Sequence, residues 1–268
     1  MRLSDDGKTL LKVDESDIIA GSCQIPAGVT TIESCAFAEC ANLQTITISE
    51  GVTTIGRGAF AKCSNLQKIA LPDGIRSIGT FAFMECSSLE TIILPAGMTT
   101  IDSMMFCSCS SLQRVTLPAE VTTIGIGAFA GCRSLETITL PAGLKTIDTA
   151  AFRNCTNLQS LMIPAGVESI DDSAFEGCKK LTWITIDSDD PKLGQIVALL
   201  PKGLINKIIL KNSYTEVIWP QDLQLASTHS SPPSDKNYSF FQVDRQYASG
   251  AMVENEEKQE IEKPVIKY

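Results

Sequence analysis

Leu43-Gln44-Thr45-Ile46-Thr47-Ile48-Ser49-Glu50-Gly51-Val52-Thr53-Thr54-Ile55-Gly56-Arg57-Gly58-Ala59-Phe60-Ala61-Lys62-Cys63 is one copy of a phrase that this chain writes seven times in a row. Phenylalanine recurs every 23 residues without drift, at Phe37, Phe60, Phe83, Phe106, Phe129, Phe152 and Phe175. A cysteine follows three residues behind each, at Cys40, Cys63, Cys86, Cys109, Cys132, Cys155 and Cys178. An aliphatic residue keeps the same step at Ile48, Leu71, Leu94, Leu117, Leu140, Ile163 and Ile186. Self-similarity at a fixed period of this length specifies a solenoid. Solenoids present long surfaces and need their neighbours to bury each unit's apolar side.

Within one phrase, Ile46-Thr47-Ile48 alternates apolar and polar residues, the period of a strand. Gly51 permits a turn, and most copies place a proline just after the strand (Pro26, Pro72, Pro95, Pro118, Pro141, Pro164). Proline cannot donate to a ladder and fits a strand end. Val52 to Ile55 reads as a second short extended piece. Ala59 to Cys63 is too short for a helix and predicts a single helical or 3-10 turn. The phenylalanine ring is expected to plug the interior.

The pattern L-x-x-I-x-I/L-P-x-G-V-x-x-I-x-x-x-A-F-x-x-C resembles the BspA-type leucine-rich-repeat family over roughly residues 25–186. Met105 departs from it at the usual alanine, Glu120 at the turn glycine, and Ser49 and Asp187 at the proline. The resemblance implies a leucine-rich-repeat solenoid, an α/β-type right-handed curved array. A parallel β-sheet would line one face, with second short strands and single turns on the others. It also implies action by binding other proteins, in several members as surface adhesins.

Four segments are expected. Residues 1–24 form an N-terminal β-hairpin cap, with Asp6-Gly7 at its turn. Residues 25–186 form the seven repeats. Residues 187–221 form a C-terminal cap of a short helix, read over Lys192 to Leu200, and a strand, read over Asn206 to Leu210. Residues 222–268 form a linker and a disordered acidic tail. The tail, Glu254 to Glu262 with a short apolar end, resembles the glutamate-rich export signal of type IV secretion effectors. Ser227 to Asp235 has linker composition.

Seven of the ten cysteines hold one repeat position and should stack on adjacent rungs. Rungs about 4.7–5 Å apart exceed the Cβ separation of about 3.8 Å that a disulfide prefers. The ladder is therefore read as buried free thiols in small apolar slots. Cys23, Cys35 and Cys107 lie off it. No CxxC pair exists, so no metal site is expected. The sole histidine, His229, lies outside the repeats, which leaves no nucleophile–base pair. Neither a catalytic residue nor a cofactor is assigned, and the chain is read as no enzyme. A net charge of −9 disfavours nucleic acid. The start, Met1-Arg2 followed by Ser4-Asp5-Asp6-Gly7-Lys8, has no Sec-type apolar core. No run approaches a membrane span. The expectation is cytoplasmic synthesis without membrane insertion, as a monomer.

Strand alternation turns one set of side chains outward. One outward column reads Thr45, Lys68, Thr91, Arg114, Thr137, Ser160, Trp183, and its neighbour reads Thr47, Ala70, Ile93, Thr116, Thr139, Met162, Thr185. Threonine is the ordinary residue for an exposed strand. The exceptions Lys68, Ile93, Arg114, Met162 and Trp183 are the candidate partner-binding residues, since Trp and Arg are enriched at binding hot spots. The partner is read as another protein, with a host protein preferred. The alternatives are an adhesin for extracellular matrix proteins or a cytosolic scaffold.

Overall fold

In the computed structural model, which describes residues 1–187, 193–211 and 238–239, the chain winds as a parallel β-sheet solenoid of about eight turns. The outward-facing sheet is built from Ser22–Gln24, Thr45–Thr47, Lys68–Ala70, Thr91–Ile93, Arg114–Thr116, Thr137–Ile138, Ser160–Pro164, Trp183–Asp187 and Ile208–Lys211. Register repeats the sequence period: Thr45 pairs with Lys68, Ile46 with Ile69, and Thr47 with Ala70. The ladder hydrogen bonds break once, between Arg114–Thr116 and Thr137–Ile138. A second, narrower set of parallel strands runs through Thr31–Ile32, Thr54–Ile55 and Ser77–Ile78, then through Thr100–Ile101, Thr123–Ile124, Thr146–Ile147 and Ser169–Ile170.

The ends are closed differently. At the start, Arg2–Leu3 pairs antiparallel with Thr9–Lys12, which in turn pairs parallel with Thr31–Ile32. The outward sheet already includes Ser22–Gln24, just ahead of the first full phrase. At the far end, a helix Leu193–Leu199 and a 3-10 helix Lys202–Lys207 replace the turn of the eighth coil. Ile208–Lys211 then joins the sheet beside Trp183–Asp187, one residue out of the 23 step because Ile184 faces Ile208. The linker and acidic stretch expected beyond residue 222 lie outside the described residues, apart from Tyr238–Ser239, which pairs antiparallel with Ile208–Lys211.

All seven phenylalanines lie inside. Six are fully buried and Phe175 is 4% exposed. Successive rings are close to parallel with centroids 4.8–5.5 Å apart, which is offset stacking. One continuous apolar interior contains the rings, the ladder cysteines and the leucine column from Leu43 to Leu181.

The segment around each phenylalanine is a turn rather than a helix, and its hydrogen bonds alternate. In the first coil, the N–H groups of Cys35, Phe37 and Glu39 donate to the carbonyls of Arg57, Ala59 and Ala61 in the next coil at 2.8–2.9 Å. The intervening N–H groups of Ala36, Ala38 and Cys40 donate three residues back within their own coil at 3.1–3.2 Å. Left-handed residues flank the ring, Cys35 at φ 57° and Glu39 at φ 67°, and the pattern recurs down the array. These turns make a third inter-coil ladder without a strand.

The turn glycine after the strand is less demanding. Gly28 and Gly97 stand at φ +91° and +87°, but Gly51, Gly74, Gly143 and Gly166 do not have positive φ, which explains why Glu120 is tolerated in their column. The glycine after the second strand has a different role. A Cβ on Gly56 would come within 2.5 Å of the Ser34 backbone nitrogen. In that same column Asp102 stands between Gly79 and Gly125, half-buried, and desolvation pushes its carboxyl above the ordinary range.

Removing a central ring should be severe. Phe106→Ala is expected to cost about 3–5 kcal/mol in denaturant unfolding, more than Phe175→Ala, because Phe106 stacks on two rings and Phe175 on one. Native thiol titration should modify exposed Cys35 first and half-buried Cys107 more slowly, with the eight buried cysteines reacting only after denaturation. Asp102→Asn should raise the unfolding midpoint at neutral pH. A raised carboxyl pKa means the folded state disfavours the ionised form, so the gain should vanish as pH falls below about 4.

Candidate partner-binding surface

The outward column residues are exposed as alternation requires, except Trp183 and Thr185 on the last repeat strand, which are half-buried, over an inner row of Ile46, Ile69, Ile92, Val115, Ile138, Leu161 and Ile184 that is at most 8% exposed. The five predicted residues fall into two groups. Lys68, Ile93 and Arg114 occupy three adjacent strands: Lys68 and Arg114 both neighbour Thr91, and Ile93 lies in the next column beside Ala70 and Thr116. Ile93 is 70% exposed, and among the described residues neither cation enters an ion pair. Met162 and Trp183 occupy two adjacent strands further along. Met162 is 40% exposed and Trp183 is half-buried. Three strand spacings, about 14 Å, separate Ile93 from Met162, and threonines fill the gap. The structure thus forms two apolar points on the outward face, one on each side of the break in the ladder, the first flanked by positive charge.

The thiols in the middle of the ladder are chemically quiet. Desolvation drives the Cys86 and Cys109 thiols well above their ordinary range, so neither supplies a thiolate. They do more than fill apolar slots, a role that spacing alone did not reveal. Each thiol points at the carbonyl of the phenylalanine one coil back: Cys63 to Phe37 O at 3.1 Å, Cys109 to Phe83 O at 3.0 Å, Cys178 to Phe152 O at 3.1 Å. The same Phe37 carbonyl also accepts the N–H of Cys40. Cys40, with no coil before it, is directed at Val13 O at 3.7 Å.

Among the described residues, no three His, Cys, Asp or Glu side chains converge as a metal site. No described helix is long and apolar enough to cross a membrane. His229 lies outside the described residues. An open cavity of about 390 Å³ sits at the far end of the ring stack, between Ser173, Phe175 and Glu176 on one side and Pro201, Gly203 and Leu204 on the other. No nucleophile–base pair lines it.

A second apolar surface lies off the strands, where strand alternation carries no signal. On the turn side, Phe81, Met84, Met104 and Cys107 are half-buried and Ile126 is 47% exposed, where other coils carry small or polar residues. Writing out the positions just before and after each phenylalanine would have found it.

Comparison with known proteins agrees with this coil. The description "BspA type leucine rich repeat region" matches residues 19–132 and 102–217. A leucine-rich repeat protein from Eubacterium ventriosum is similar at 32% identity with a TM-score of 0.62, over 66% of this chain and 48% of that one, so the chain spans about half of that relative's length. A leucine-rich repeat protein from T. pallidum is similar at 30% identity with a TM-score of 0.56, over 67% of this chain and 86% of that one. A comparison with curated proteins gives no match. With the repeat pattern matched along most of its length and the same coil in both solved structures, the chain belongs to the BspA-type leucine-rich-repeat family.

Proposed function

We propose that the chain is a non-enzymatic protein-interaction module whose partner sits on the exposed sheet, anchored at Lys68, Ile93, Arg114, Met162 and Trp183. The repeat family and its structural relatives are typically binding modules without catalysis, which supports the class. One observation carries the choice of face. Ile93 stands 70% exposed on the sheet, with the two cations of the neighbouring column on either side and, among the described residues, no ion pair to neutralise them. A large aliphatic side chain on a rigid sheet loses little conformational freedom on binding. The flanking charges favour a partner segment that combines an apolar side chain with carboxylates.

The cellular role that fits is an effector carried into a host cell by the acidic stretch Glu254 to Glu262, where it meets a host protein. A surface adhesin or a resident scaffold would use the same sheet but would not need that stretch.

Two measurements test the reading. Arg114→Glu should weaken partner binding about tenfold or more, as should Trp183→Ala, by the usual size of interface hot spots, while Arg133→Glu off the sheet should change nothing. Unchanged binding in both sheet variants would remove the sheet from the account. Truncation at residue 222 should abolish translocation into host cells while leaving the solenoid folded; continued translocation would rule out the acidic stretch as the signal.

A further inference from the structure

The turn side of the array departs from its own repeat in a way the core does not require. With coils numbered by their phenylalanines from Phe37, the position two before the ring reads, in the first six coils, Cys35, Gly58, Phe81, Met104, Gly127 and Ala150. Every one has positive φ, with Phe81 at 62° and Met104 at 54°. Glycine takes that conformation freely, whereas a bulky side chain there costs about 1–2 kcal/mol. Two adjacent coils therefore hold large apolar residues in a strained backbone at the surface, and such strain concentrates at functional sites. The neighbouring positions extend the same ground. The Arg57 guanidinium lies over the Phe81 ring at 5.0 Å. The Met104 side chain runs toward Gly127, its Cγ 3.4 Å from where a Cβ there would stand, and Ala130 is beside it. Met84, Cys107 and Ile126 complete an island in the third to fifth coils.

We propose that this island is a self-association surface, on which a second copy packs antiparallel with the twofold between the fourth and fifth coils. Two features select a second copy. The first is relief. Large side chains fill the third and fourth coils (Phe81, Met84, Met104, Cys107), and small ones stand opposite three of them in the fifth and sixth (Gly127, Ala130, Ala150), with Arg153 opposite Met84 and Ile126 at the margin. A twofold between the fourth and fifth coils lays the high ground of each copy on the low ground of the other. The second is charge. That axis opposes the second coil to the seventh and the third to the sixth. It sets Arg57 directly against Asp172 and brings Lys62 beside Glu176 and Glu85 beside Arg153, one residue out of register, each pair occurring twice. Lys62 and Arg153 each also hold an exposed carboxylate within their own chain, Glu39 and Glu176. Among the described residues, Arg57 and Asp172 have no ion-pair partner within the chain. A twofold through the fourth coil would instead oppose Lys62 to Arg153 and Glu39 to Glu176. Self-pairing at a closed twofold is the commonest form of homo-oligomer.

The surface is long and narrow. From the second to the seventh ring is about 27 Å at the observed stacking distance. Such a strip belongs to the small class of interfaces, with a dissociation constant on the order of 100 µM. This pairing is independent of the partner proposed for the sheet.

Sedimentation equilibrium of the full chain from about 10 µM to about 1 mM, spanning that constant, should show a reversible monomer–dimer equilibrium that weakens with salt. Ile126→Glu should leave only monomer. Arg57→Asp and Asp172→Arg should each weaken the dimer about tenfold, and the double exchange should bring it back to within about threefold. These are exposed positions, so the fold is retained. A chain monomeric throughout the range, a dimer indifferent to Ile126→Glu, or a double exchange no better than the singles would overturn the proposal.

Discussion

The phenylalanine carbonyl is the point on which the array turns. It lies in the interior beside a fully buried ring, where an unmatched acceptor would be costly. Two donors reach it: the N–H of its own cysteine three residues on, and the thiol of the next coil's cysteine. The cysteine is therefore bound to its position by geometry. It must be small enough for the slot between coils and must carry a hydrogen to donate, and a thiol meets both needs in an apolar site. The ring above, the thiol beside it and the alternate N–H bonds of the turn then lock each coil to the next at one spacing. That spacing is why a 23-residue period survives seven copies with so few departures.

A core so strictly repeated leaves the outward columns free to vary, and individuality collects there. Inner-row residues change only among Ile, Val and Leu, whereas the outward rows run from threonine to lysine, arginine, methionine and tryptophan. Ion pairs along the surface follow the same step. Lys62 reaches Glu39 and Lys145 reaches Glu168, each 23 residues away, at 3.1 and 2.7 Å. Exposed pairs of this kind contribute little stability. They matter more as a pattern of sign that another molecule meets.

The solenoid, its register and its inner face were legible because they depend on periodicity, and a phrase repeated at fixed step has one economical way to stack. The buried thiols were legible for the same reason, but their hydrogen bonds were not. A bond from Cys63 to Phe37 O joins residues 26 apart, which only the coil geometry brings together. The turn around the ring was too short to reveal that alternate N–H groups leave it for the next coil. The eighth coil was harder still. Leu204 keeps the leucine step, but Ala198 and Pro201 stand where phenylalanine and cysteine would fall, and helix takes over where the phrase fails. On the outward sheet, strand alternation located the exposed columns. The 23 step also placed Lys68, Ile93 and Arg114 on adjacent strands and Met162 and Trp183 further along. What alternation could not show is that Trp183 would be half-buried, because that depends on what packs beside it at the end of the array.

The sheet face and the turn-side island belong to different sides of each coil, separated by the buried cysteine and leucine columns. Pairing through the turns would therefore leave the sheet of each copy uncovered. The dimer would carry two equivalent sheets held at a fixed relation by a rigid core. For a ligand that displays its target more than once, the second engagement then becomes intramolecular, and its strength depends on geometry rather than on new contacts. A weak pairing suits that arrangement. Dilute copies would meet single targets as monomers, and a crowded surface of targets would itself raise the local concentration that drives the pairing. The strained Phe81 and Met104 have a role in such a scheme that they lack in an isolated solenoid, where glycine, as at Gly58 and Gly127, would serve the fold better.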